Sequence, residues 1–179
     1  MQTSLWPHPA FGNLDLGNID VEFDRPSRSL LRVRYTVVGD ISAIVVPPPA
    51  EPLRTDGLWE STCFELFLRR EGESEYLELN FAPSGEWAAY SFRAVREGMV
   101  QAAMPGPPEI RASVTTDRLE VEVAVSPWLD DGPYTMNIAA ILQNRTGDRS
   151  FWAVSHAGEE PDFHHPRCFI EQLPAAPRP

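Results

Sequence analysis

Residues 57–70 read GLWESTCFELFLRR, and residues 76–92 read YLELNFAPSGEWAAYSF. In the first stretch Phe64, Leu66 and Leu68 alternate with Cys63, Glu65 and Phe67. In the second, Leu77, Leu79 and Phe81 alternate with Glu78 and Asn80. A period of two is the pattern of a β-strand with one apolar face. Pro83-Ser84-Gly85 is turn chemistry and sends the chain into a third strand carrying Trp87 and Tyr90. These stretches therefore predict one sheet with an apolar inner face. Its outer face carries Glu65, Glu78, Asn80 and aromatic rings. A carboxylate in mid-strand must be solvated, paired or used on a ligand. Flat aromatic surface beside convergent polar groups suits a sugar, whose ring has apolar C–H faces and a rim of hydroxyls.

The rest of the chain repeats the pattern. Leu31, Val33, Tyr35 and Val37 alternate with Arg32, Arg34 and Thr36, and Leu119, Val121, Val123 and Val125 alternate with Glu120, Glu122 and Ala124. Further strands are predicted at 42–46, 86–93, 109–116, 134–143, 149–154 and 167–173. Proline and glycine, at 18 and 11 residues, cluster between these stretches. About ten short strands and no long amphipathic helix predict an antiparallel sandwich or barrel. Ser126-Pro127-Trp128-Leu129 predicts a short helical turn, with serine as cap and proline first. One domain is expected over 1–179, with irregular ends at 1–19 and 174–179. The proline-rich 47–56 segment reads as a surface loop.

Composition narrows the function classes. The chain has 179 residues and a net charge of −11, and every basic residue is arginine. An acidic surface disfavours nucleic acid and anionic membranes as partners and leaves small neutral ligands open. No apolar run approaches the about 20 residues a bilayer span requires. Residues 1–15 lack a basic and an apolar signal region, so the expected compartment is the cytoplasm. Cys63 and Cys168 are expected to be free thiols there. Polar residues alternating along a half-exposed sheet also arise without any ligand, with Glu65 and Glu78 facing water or pairing with Arg32 or Arg34.

The spacing Trp59-x5-Glu65-Leu66-Phe67 and the Asn80-Phe81-Ala82-Pro83-Ser84-Gly85 hairpin resemble bacterial DOMON-like proteins, which are similar to family-9 carbohydrate-binding modules. Phe151-Trp152-Ala153, His156 and Pro161-Asp162-Phe163-His164-His165-Pro166 resemble the C-terminal signature of that group. The likeness in order and spacing runs from about residue 30 to 171. It implies an all-β, two-sheet antiparallel β-sandwich. It also implies non-catalytic binding of a sugar between two tryptophans, Trp59 and Trp152, with hydrogen bonds from Glu65 and Asn80. Glu78, Tyr90 and Arg34 are further candidates. Three positions depart from the family pattern: Thr62 stands for an aspartate, Glu78 for a sugar-contacting arginine, and Ala139 for a glutamine.

Other readings compete. Some DOMON domains bind haem through methionine and histidine, but none of Met1, Met99, Met104 and Met136 matches an axial ligand, and no cofactor is expected. His156, Asp162 and His164 or His165 could hold zinc, although no zinc spacing is met and adjacent extended residues point apart. No metal site is therefore expected, and loop hydrogen bonding explains these residues as well. A retaining glycosidase needs two carboxyls about 5–5.5 Å apart, a role Glu65 and Glu78 could fill if the register allows. Finally, the sandwich could have lost its ligand and serve as an interaction module. Exposure of both Trp59 and Trp152 separates that reading from the sugar clamp.

Overall fold

The computed structural model describes residues 1–12 and 14–177. Its strands are β1 (Gln2–Pro7), β2 (Leu16–Ser27), β3 (Leu30–Gly39), β4 (Cys63–Arg70), β5 (Tyr76–Phe81) and β6 (Trp87–Phe92). They continue as β7 (Val100–Gln101), β8 (Glu109–Val114), β9 (Arg118–Val125), β10 (Tyr134–Gln143), β11 (Arg149–Ala153) and β12 (Glu171–Leu173). Three short 3-10 turns cover Ile41–Ala43, Leu58–Glu60 and Pro166–Cys168. No helix among the described residues is long and apolar enough to cross a membrane.

All strand pairing is antiparallel, as the alternation predicts. Hydrogen bonding follows one path, β7-β6-β5-β4-β10-β11-β1-β2-β3-β9-β8, with β12 pairing β10 beyond the end of β11. The link between the two halves is β1. Its Gln2–Leu5 stretch pairs β2, and Trp6 and Pro7 pair β11. The sheet curls so that one core serves both halves. Val21, Val33 and Val121 from one half share a buried cluster with Phe64, Leu79 and Ile138 from the other. Each such side chain contributes roughly 1.5–3 kcal/mol on leaving water.

Several expectations are corrected. The N-terminal stretch is not irregular throughout, because β1 and the start of β2 lie within residues 1–19 and Leu5 and Ile19 enter the core. Residues 42–46 form no strand. Asp40 caps Ser42 and starts a 3-10 turn, and only an isolated Ile44–Asn144 bridge follows. Residues 126–129 form no helical turn, and Trp128 stands 74% exposed. In 167–173 only β12 is strand, because Pro166 opens a 3-10 turn capped by His165. At the C-terminus, residues 174–177 form no strand, and 178–179 lie outside the described residues.

Candidate functional site

The outer face of β4, β5, β6 and β10 is not open to water. A second buried cluster lies on it, built from Phe67, Tyr76, Tyr90, Phe92 and Ile141 of the strands and from Phe163 and Phe169 of the segment after β11. That segment, residues 154–170, carries the PDFHHP sequence and folds back over the face. Its position is set by hydrogen bonds. Asn137 Nδ2 donates to the Phe163 carbonyl (2.9 Å), and the Asp162 carboxylate accepts from the His164 N–H (3.1 Å).

Between sheet and cover a cavity of about 350 Å³ remains. Strand register explains why it is there. One row across the sheet reads Ala153, Ala139, Glu65, Asn80, Ala88 on successive strands. Three of these side chains are single methyl groups, so they cannot fill the space above them. The row beside it reads Asn137, Phe67, Glu78, Tyr90. Glu65 and Glu78 thus stand on adjacent strands, diagonal to each other, and both line the cavity. Trp59, Phe92, Phe151 and Phe163 supply its aromatic lining, and Arg96 and His164 complete its polar groups.

Trp59 is held from several sides. Gly57 adopts a left-handed φ of 78°, a conformation that suits glycine, and the 3-10 turn Leu58–Glu60 follows. Arg149 donates to the Trp59 carbonyl (3.2 Å), and Gln143 accepts from the Ser61 hydroxyl (3.1 Å). The indole is half-buried and meets Tyr90 edge-on, with ring centroids 5.8 Å apart.

The electrostatics are unusual. Glu65 is only 3% exposed, and no described residue gives its carboxylate a hydrogen bond or ion pair. Burial, reinforced by the neighbouring Glu78 charge, pushes its pKa well above the ordinary carboxylate range. Glu78 is raised too, chiefly by burial, although its Oε1 accepts from Asn80 Nδ2 (2.8 Å). Asn80 Oδ1 is buried without a partner. The Arg96 N–H donates to the Tyr76 hydroxyl (3.2 Å), and that hydroxyl lies 2.8 Å from His164 Nδ1. The other ring nitrogen of His164, Nε2, lies 3.8 Å from Glu78 Oε2. Burial and the Arg96 cation depress His164 to a pKa of about 4, so it is neutral at pH 7.

The structure brings together Trp59, Glu65, Glu78, Asn80 and Tyr90 of the predicted residues. Tyr90 is buried, and its hydroxyl donates to Asp56 (2.6 Å). Burial and that bond raise its pKa. Trp152 lies elsewhere. It is 1% exposed, belongs to the inner core, and donates its indole N–H to Ser150 (2.9 Å). It cannot face Trp59, because its neighbours Phe151 and Ala153 take the outer face. Arg34 also lies apart, on the other half of the sheet, paired with Glu122 (2.7 Å) and Glu22 (3.4 Å). A larger depression of about 910 Å³ lies there, but its Arg34 is already paired with Glu22 and Glu122. Arg34 does not pair with Glu65 or Glu78.

The histidines serve the loops. His156 Nε2 sits 2.8 Å from the Trp6 carbonyl, and His165 caps the Pro166 turn. Among the described residues no group of three or more His, Cys, Asp or Glu side chains converges as a metal site. Cys63 and Cys168 are buried free thiols. Sequence reasoning missed Arg96, Phe92 and Phe151 as cavity residues and read His164 only as a loop or metal residue. Arg96 sits at φ 56°, a position no local sequence signal marks.

No protein-family model and no curated protein matches the chain. Solved structures share the fold. A protein from Bacteroides uniformis, provisionally described as carbohydrate-binding, aligns with a TM-score of 0.68 and 17% identity over 97% of this chain and 85% of its own. A family-9 carbohydrate-binding module from Caldicellulosiruptor kristjanssonii was solved with glucose and with cellotriose. Both structures give a TM-score of 0.53 over 90% of this chain, at 9% and 10% identity and covering 78% and 76% of the module. At these identities the likeness is one of fold, and function must be argued from the site.

Proposed function

We propose that the cavity over Glu65 binds a carbohydrate, without catalysis. The observation that carries this reading is a cavity with aromatic walls and a polar floor, in a chain whose fold is that of sugar-binding modules. Trp59 offers an indole for the apolar face of a sugar ring, and Phe151 and Phe163 take the place expected of Trp152. Glu65, Glu78, Arg96 and His164 offer hydrogen-bonding atoms to the hydroxyls. Asn80 acts through Glu78, whose Oε1 it holds. Tyr90 packs edge-on against Trp59.

The cavity volume of about 350 Å³ falls at the small end of ligand pockets. One or two sugar units therefore suit it better than a long chain. Glycoside hydrolysis needs two carboxyls flanking the scissile bond. Glu65 and Glu78 instead rise from neighbouring strands of a single wall. Affinity is expected to be modest, because sugar hydroxyls exchange water hydrogen bonds for protein ones.

Titration of the protein with glucose, cellobiose and other small sugars tests the reading, followed by tryptophan fluorescence and calorimetry. Saturable heat and a fluorescence change lost in Trp59→Ala are expected. Absence of both with every sugar would count against it.

A further inference from the structure

The cavity holds more acceptors than donors. Glu65 offers the cavity a buried carboxyl group that no described residue pairs. Glu78 has one oxygen on Asn80 and its other 3.8 Å from His164 Nε2. On the donor side, Arg96 is already committed: its Nε and Nη2 reach Asp162 Oδ1 at 3.2 and 2.9 Å. His164 brings a single N–H. A neutral hexose would leave the two acidic side chains, once ionised, side by side with only the Asp162-bound Arg96 as counter-charge, which is costly.

We propose that the site takes a sugar bearing a protonated amino group, such as a 2-amino hexose, with the ammonium held between Glu65 and Glu78. This rests on the carbohydrate reading and deepens it. An ammonium has three donors and no acceptor, the complement of what the floor presents. The overall charge of −11 favours a cation as well. The charged and titratable groups packed around the pair are Tyr35 on β3, Cys63 on β4, Tyr76 on β5, Tyr90 on β6, Arg96 before β7, and Asp162 and His164 on the cover. Arg96 is the one full positive charge among them, and Asp162 offsets it.

The test is calorimetry of the whole chain with glucosamine, glucose and N-acetylglucosamine near neutral pH. Wild type is expected to bind glucosamine at least about tenfold more tightly than the other two, a difference of about 1.4 kcal/mol. In Glu65→Gln and in Glu78→Gln that ratio is expected to fall toward one, with thermal melts checking that each variant folds. Wild-type glucosamine affinity should also rise with pH as the carboxyls lose their protons above the ordinary carboxylate range, while glucose affinity should not. Equal binding of glucose and glucosamine by wild type overturns the ammonium site and leaves the carbohydrate reading standing. Silence with all three sugars overturns both. Putrescine bound as tightly as glucosamine overturns the sugar assignment.

Discussion

Glu65 and Asn80 face each other across the β4–β5 ladder, yet the Asn80 amide donates to Glu78 and not to Glu65. Glu65 is left with a buried carboxyl group and no partner, so ionising it carries a cost to folding. Functional sites are where such strain is found.

The first prediction concerns that cost. Folding raises the Glu65 pKa, so the native state holds this proton more tightly than the unfolded chain. Stability therefore falls as pH rises from the ordinary carboxylate pKa to the raised one, and stays lowered above it. Glu65→Gln removes the charge and keeps the shape. It should be more stable than wild type at pH 7 by about 1–3 kcal/mol, and the gain should vanish in acid. Urea unfolding of both proteins across pH checks this; a variant less stable at pH 7 would refute it.

His164 acts with the opposite sign. Its pKa drops from 6.5 to about 4 on folding, so the unfolded chain binds the extra proton first. Stability from this group is complete above the unfolded value and is lost as pH falls toward 4. His164→Gln keeps a hydrogen-bonding side chain beside Tyr76 but has no titration. Between neutrality and that lower limit its unfolding free energy should fall less than that of wild type. Parallel pH profiles would contradict the assignment.

How far the sequence goes is clear from particular residues. Alternation around Phe64, Leu79 and Val121 predicts strands that the structure contains. The same signal exists at Ile19, Val21 and Phe23, alternating with Asp20, Glu22 and Asp24, so β2 was legible although it was not predicted. The face taken by Trp152 was not legible. It stands opposite Ala140, which stands opposite Phe64, and this places it on the inner side. A register one residue different would have put it beside Glu65. Pairing between distant strands is a tertiary fact. The same holds for Arg96, which reaches the cavity only because a turn and the returning cover meet there.

A third prediction rests on Arg25, a buried cation of β2. Its guanidinium donates to the carbonyls of Gly132 (3.0 Å), Arg28 (3.3 Å) and Asp130. It thereby ties β2 to the segment before β10. Arg25→Met fills similar volume but leaves these carbonyls without a donor. The expected loss is about 2–4 kcal/mol, read as a lower urea midpoint. Sugar binding, on the other half of the sheet, should persist where the variant is folded.

The last prediction separates two tryptophans that the sequence alone made equivalent. Trp59 lines the cavity and is half-buried, whereas Trp152 is enclosed by the inner core. Trp152→Ala removes a large buried ring and should cost about 3–5 kcal/mol, with any loss of binding following the unfolded fraction. Trp59→Ala removes a ring with water on one side, so unfolding should shift by about 1 kcal/mol or less while sugar affinity falls about tenfold or more. Chemical denaturation and sugar titration of both variants read the two effects on separate scales. A Trp152 variant that stays as stable as wild type and loses only binding would restore the two-tryptophan clamp and undo the site described around Phe151 and Phe163.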